Sequence, residues 1–244
     1  MAGAFYFRRF FMRLRNPFRT LTKFEWILWL TSAAVVTLVS AAGPFLFGGK
    51  LNLLTVLASL IGVTALIFVA KGDVFGQILT VVFSLLYAVI SLRFRYYGEM
   101  ITYLGMTMPI AGLSVAAWLR HPYKKGKSEV AVAVLGRRRT VQMFLLTAGV
   151  TFLFYFVLAY FHTANLAVST VSIATSFLAS YLMLYRSPAY ALAYAANDLV
   201  LIVLWVLATA ESLSYLPMVI CFIMFFCNDL YGFYNWRRMK RRQG

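Results

Sequence analysis

The chain has 244 residues, of which 62% are hydrophobic and 12% charged, with a mean hydropathy of +0.80. Soluble domains are about 45–50% apolar and about 25% charged, so an ordinary soluble domain is excluded and an integral membrane protein is indicated. The net charge of +16 would suit nucleic acid, but the basic residues sit in loops and tails between apolar runs, where they set membrane orientation.

The chain opens on Arg8, Arg9, Arg13, Arg15, Arg19 and Lys23, interleaved with Phe5, Tyr6, Phe7, Phe10, Phe11 and Phe18. A basic aromatic segment of this kind lies on an anionic membrane surface and anchors topology. It precedes the first apolar run without a small-residue cleavage site, so no cleavable signal peptide is expected. Eight spans follow, at 26–47, 52–70, 74–92, 99–119, 141–161, 165–185, 188–208 and 213–235. Their lengths suit helices that cross a bilayer. The breaks carry their own turn residues: Gly48-Gly49, Lys71-Gly72-Asp73, His121-Pro122 and Ser187-Pro188.

Orientation follows from the basic residues. With the N-terminus inside, 20 of the 23 Lys and Arg fall on the cytoplasmic side, and only Lys50, Arg93 and Arg95 fall outside. That places both termini in the cytoplasm. The loop 120–140 carries Lys124, Lys125, Lys127 and Arg137 to Arg139 and divides the chain into halves. The halves read as weak repeats. In each, an apolar run, a basic turn (Lys71-Gly72 or Arg186-Ser187) and a second run lead to a third run ending near a tryptophan, Trp118 or Trp236. Both sets begin outside, so the repeats are parallel and the fifth span returns the chain. Transporters with parallel repeats bind solute at the repeat interface.

The stretch Tyr190 to Trp205 is apolar enough to cross a bilayer, yet it holds Asn197-Asp198, and the pair recurs as Asn228-Asp229 in the next run. An ionisable group in hydrocarbon costs roughly 2.5–3.5 kcal/mol on insertion scales, so it faces protein, water or a solute. Met224, Asn228, Tyr231 and Asn235 share one helical face. So do Tyr190, Tyr194 and Asn197, then Ser169, Ser172 and Ser176, and finally Gln77 and Thr80, with Tyr87 one heptad beyond Thr80. Amides supply donors and acceptors and rings supply stacking surface, which suits a ring compound with hydroxyls. The competing reading is interhelical bonding among these groups, worth ~0.6–2 kcal/mol each. Asp198 and Asp229 read equally as structural acceptors or as counter-charge for a cationic ring. Gly98, Gly105 and Gly112 at sevens suggest a close helix contact, and Glu99 a place at the outer boundary.

Enzyme signals are poor. His121 and His162 sit at span boundaries, and no nucleophile elbow, phosphate-cradling loop or metal-ligand spacing occurs. Cys221 and Cys227 lie six apart on one span and cannot pair with each other. No cofactor and no metal are expected.

Several segments together resemble the PnuC-type nicotinamide riboside transporters: Thr22-Lys23-Phe24-Glu25, Val69-Ala70-Lys71-Gly72, Tyr96-Tyr97-Gly98-Glu99, Ala196-Asn197-Asp198-Leu199 with Trp205, and Asn228 to Trp236. The resemblance implies an all-α membrane fold of eight helices. An N-terminal helix (24–48) precedes two parallel three-helix bundles (52–119 and 165–235) joined by a linker helix (141–161), as in SWEET-type sugar transporters. The basic segments 1–23, 120–140 and 236–244 would lie in the cytoplasm. It also implies a central vitamin site, facilitated diffusion and often trimers. Many members place tryptophans seven and four residues before the span-seven Asn; here those positions hold Tyr190 and Ala193.

The resulting expectation is a uniporter for nicotinamide riboside, a vitamin precursor, in the cell membrane. The alternatives are a carrier for thiamine or riboflavin, a membrane-embedded enzyme using the aspartates as acid and base, or a non-transporting scaffold. The expected binding residues are Gln77, Thr80, Tyr190, Tyr194, Asn197, Asp198, Trp205, Asn228, Asp229 and Tyr231.

Overall fold

A computed structural model describes residues 16–47, 53–93, 96–124, 128–163 and 165–244. The expectations for Arg8 to Arg15, the Gly48-Gly49 break, Lys50, Arg95, Lys125 and Lys127 lie outside the described residues. The described residues are all-helical, with isolated bridges but no strand. Eight of the helices are long and apolar enough to cross a membrane. They are α1 (Lys23–Phe47), α2 (Leu53–Ala70), α3 (Val74–Arg93), α4 (Tyr97–Arg120), α5 (Arg137–Tyr160), α6 (Leu166–Leu184), α7 (Tyr190–Glu211) and α8 (Leu216–Gln243).

Helix α1 starts on a reciprocal capping box. The Glu25 N–H donates to Thr22 Oγ1 (3.3 Å) and the Thr22 N–H donates to Glu25 Oε2 (2.6 Å), so two donors without helical partners are satisfied together. Helices α2 and α6 end alike. After α2 the Gly72 N–H bonds Val69 C=O and the Asp73 N–H bonds Phe68 C=O. After α6 the Arg186 N–H bonds Met183 C=O and the Ser187 N–H bonds Leu182 C=O. Both are Schellman turns with a left-handed residue, Gly72 at φ +68° and Arg186 at φ +59°.

Neighbours in sequence pack side by side, and α2 also packs on α8 while α4 packs on α6. Two tryptophans cross-link the same halves. Trp118 Nε1 at the end of α4 donates to Met183 C=O on α6 (3.2 Å), and Trp236 Nε1 on α8 donates to Val69 C=O on α2 (2.9 Å). The two indoles meet with centroids 5.5 Å apart. Residues 128–133 bind both turns: the Val130 N–H donates to Gly72 C=O (2.9 Å) and the Ala133 N–H to Arg186 C=O (3.0 Å). The segment read as a basic tail from residue 236 instead continues α8 to Gln243, because Trp236 and Met239 remain buried in this layer. Gln243 Oε1 then accepts the Val132 N–H (2.7 Å), and Arg242 pairs with Glu129.

Helix α4 is interrupted by a π-segment at Tyr103–Thr107, followed by Pro109. Pro109 has no N–H to return to Gly105, and the Met108 N–H reaches back to Tyr103 C=O. The extra residue rotates the face on which the sevenfold glycines were expected to pack together. Only Gly98 makes the close approach: a Cβ there would meet Leu158 Cδ2 at 2.7 Å, whereas Gly112 has nothing within 4 Å.

Candidate functional site

The expected binding residues divide into three places. The first is the tryptophan layer. Gln77 Nε2 reaches Met183 Sδ (2.8 Å) and is 1% exposed. Tyr190 is fully buried, its ring 4.8 Å from Trp236 and its hydroxyl 3.4 Å from Val69 C=O. Nearby, Thr80 Oγ1 returns to its own helix at Gly76 C=O (2.9 Å).

The second place faces α1. Tyr231 Oη donates to Glu25 Oε1 (2.8 Å), beside the Lys71–Glu25 ion pair at 2.8 Å, and its ring lies 5.2 Å from Phe24. Asn228 also turns this way, its Nδ2 donating to Ser32 Oγ (2.9 Å) and Met224 C=O (2.8 Å). Its Oδ1 is buried without a partner. Asn197 and Asn228 therefore have separate protein partners rather than each other.

The third place lies between α3, α4, α7 and α8. The buried carboxyls of Asp198 on α7 and Asp229 on α8 are neighbours. Asp198 Oδ2 is buried without a hydrogen-bond partner. Asn197 stands beside Asp198, and its Oδ1 accepts Thr175 Oγ1 (2.8 Å), Ser176 Oγ (2.9 Å) and, at the limit, Ser172 Oγ (3.4 Å). The carbonyl faces these three hydroxyls, and the NH2 has no hydrogen bond to protein among the described residues. Tyr194 is held by Ser180 at 2.9 Å.

Trp205 forms the far wall, with Tyr96 and Tyr215 at 5.0 and 5.8 Å. Its Nε1 and the Tyr87 Oη are each buried without a hydrogen-bond partner. Tyr87 packs on Tyr103 at 4.3 Å and shares a buried cluster with Cys221. Cys221 and Cys227 are both free. An unpaired buried polar group costs about 1–3 kcal/mol, and several gathered in one enclave are a place for a polar guest.

Tyr103 and Cys221 escaped the reading of the sequence as site residues. Glu99 and Tyr103 are four apart, so helical spacing alone would have placed them on one face. Tyr87 was noted for its spacing from Thr80, but no polar neighbour in sequence marked it.

Apolar helices around an enclave of aromatic rings, amides and carboxyls define a polytopic membrane transporter of small solutes. The nicotinamide mononucleotide transporter family model matches residues 52–238, and the chain belongs to that family. It is 26% identical over 190 residues to the nicotinamide riboside transporter PnuC of Neisseria mucosa, covering 76% of this chain and 72% of that protein. The corresponding figures for the Haemophilus influenzae PnuC are 22% over 191 residues, 78% and 81%. The crystal structure of a vitamin B3 transporter PnuC superposes with a TM-score of 0.79 at 23% identity, covering 98% of both chains, and has the same fold.

Proposed function

We propose that this chain carries nicotinamide riboside by facilitated diffusion across the plasma membrane. The basic face, with the turns at residues 71–73 and 185–187 and the C-terminus, lies in the cytoplasm. The observation that carries the reading is the set of buried, unpaired polar atoms in the third place: Tyr87 Oη, Trp205 Nε1 and Asp198 Oδ2. A nucleoside with a carboxamide and ribose hydroxyls offers donors and acceptors to such a set, and the aromatic walls stack on its ring. The free NH2 of Asn197 is assigned to the solute. Names borne by the Neisseria and Haemophilus relatives point to the same substrate.

The two halves act as parallel repeats. The exchanged tryptophan bonds support this, because each half's terminal indole binds the turn-side carbonyl of the other half's first helix. The register that pairs Val69 with Met183 also pairs Gly72 with Arg186. Rocking of one bundle on the other then exposes the enclave to either side. A homotrimer is what the family resemblance implies, and mass measurement of the purified protein tests it.

The test is calorimetric titration of purified protein with nicotinamide riboside, nicotinamide, thiamine and riboflavin, followed by counterflow in vesicles. Saturable binding of nicotinamide riboside and counterflow without accumulation are expected. Thiamine or riboflavin binding in its place refutes the substrate; accumulation that collapses with a protonophore refutes facilitated diffusion. Cysteine labelling of residues 128–136 only after permeabilisation is the expected orientation result.

A further inference from the structure

Glu99 stands in the first turn of α4 and is 5% exposed. Of the other buried carboxyls, Glu25 is bonded by Lys71, Thr22 and Tyr231, and Asp73 by Ser128 and the Phe75 N–H, while Asp198 and Asp229 lie beside each other. The Glu99 carboxyl has no hydrogen bond and no ion pair among the described residues. No Lys or Arg among the described residues is buried. The π-segment of α4 begins at Tyr103, one helical turn beyond Glu99 on the same face, and sets its ring 4.3 Å from that of Tyr87.

An unpaired carboxylate away from water is costly, and a cation brought beside it relieves the desolvation of both. Tyrosine faces add to the attraction for a cation. We infer that Glu99 is the counter-charge for a cationic heteroaromatic solute and the residue by which the site selects a charged ring over a neutral one of the same shape. The inference rests on the nicotinamide riboside reading above. It assigns the charge recognition to Glu99, a buried carboxyl with no hydrogen bond and no ion pair among the described residues. Nicotinamide riboside carries a formal positive charge on its glycosidic ring nitrogen. The 1,4-dihydro form has nearly the same outline and the same ribose and carboxamide but no charge, so the two ligands isolate the charge.

The experiment is calorimetric titration of the full-length purified protein and its Glu99→Gln, Glu99→Asp and Asp198→Asn variants with both forms, at one pH. The wild type is expected to bind the cation at least about tenfold more tightly than the dihydro form. Glu99→Gln is expected to lose about that factor for the cation and to keep its affinity for the neutral ligand. Glu99→Asp should retain part of the preference. A preference that survives in Glu99→Gln and collapses in Asp198→Asn overturns the assignment in favour of the paired aspartates. Equal wild-type binding of both forms overturns charge selection while leaving the substrate reading intact, and this result needs no variant to fold. Binding of neither form refutes the substrate reading and the role of Glu99 with it.

Discussion

Two layers of the helical bundle treat polar atoms in opposite ways. In the tryptophan layer nearly every polar side chain is paired: Trp118 with Met183, Trp236 with Val69, Gln77 with Met183 and Asn235 with Ala70. In the layer around Tyr87, Trp205 and Asp198, polar atoms equally buried are left without partners. Both layers are wrapped in the same apolar residues, so hydropathy does not distinguish them. What distinguishes them is whether the chain supplies the second half of each hydrogen bond. A layer that satisfies itself seals the bundle; one that does not is built for a guest.

The largest effect should come from breaking the sealed layer. Trp236 is fully buried and joins α8 to α2 through its ring and its Nε1–H. Trp236→Ala should cost about 3–5 kcal/mol, the range for removing a buried large aromatic. Thermal denaturation in detergent should show the loss. Trp236→Phe retains most of the packing and should cost about 1 kcal/mol, close to one net hydrogen bond.

Asn197 joins the two behaviours within one side chain, and its effect should be next in size. Asn197→Ala strips the acceptor from Ser176, while Thr175 keeps the Val171 and Ser172 carbonyls, and lowered stability by roughly 1–3 kcal/mol is expected. The same change removes the NH2 assigned to the solute, so nicotinamide riboside affinity should fall about tenfold as well. A melting temperature that drops while affinity holds would assign Asn197 wholly to bonding between helices.

The division between the layers explains how much could be read beforehand. The eight spans and their breaks were legible because length, apolarity and turn residues are local properties. The family was legible from short tags in order. Partnering was not, because it is decided across the sequence. Asn228 finds Ser32, Tyr231 finds Glu25 and Gln77 finds Met183, all more than 100 residues apart in sequence. Helical periodicity reported a shared face for Met224, Asn228 and Tyr231 but said nothing of what that face meets. In α4 periodicity itself failed, because the π-segment displaced the expected glycine face.

Removing an orphaned atom should have the opposite signature to removing a paired one. Tyr87→Phe and Trp205→Phe each delete a donor that has no completed bond. Stability should stay within about 0.5 kcal/mol of wild type for Tyr87→Phe, or rise, since an unsatisfied buried group disappears. Nicotinamide riboside affinity should fall by about fivefold to tenfold. Titration and denaturation of the same preparations check both halves. A stability loss with affinity intact would mean that the hydroxyl has a structural partner after all, and the contrast between the layers would fail at Tyr87.

The smallest effect is expected at Tyr231, and it sharpens the contrast most. Its position on the Asn228 face suggested the binding site, but its hydroxyl lies on Glu25 among other donors. Tyr231→Phe leaves Glu25 with the Lys71 ammonium and the Thr22 N–H, so the carboxylate is not stranded. The ring contact with Phe24 also survives. Lysine remains a full counter-charge, so the cost should be one net hydrogen bond to a charged acceptor, shared with partly exposed surroundings, and no more than about 1 kcal/mol. That loss should appear as weaker docking of α1, read as faster proteolysis near residues 16–22 or a small fall in melting temperature. Affinity for nicotinamide riboside should not change. A tenfold loss of affinity in this variant, with the melting temperature untouched, would return Tyr231 to the solute and show that the α1 face belongs to the unsatisfied layer.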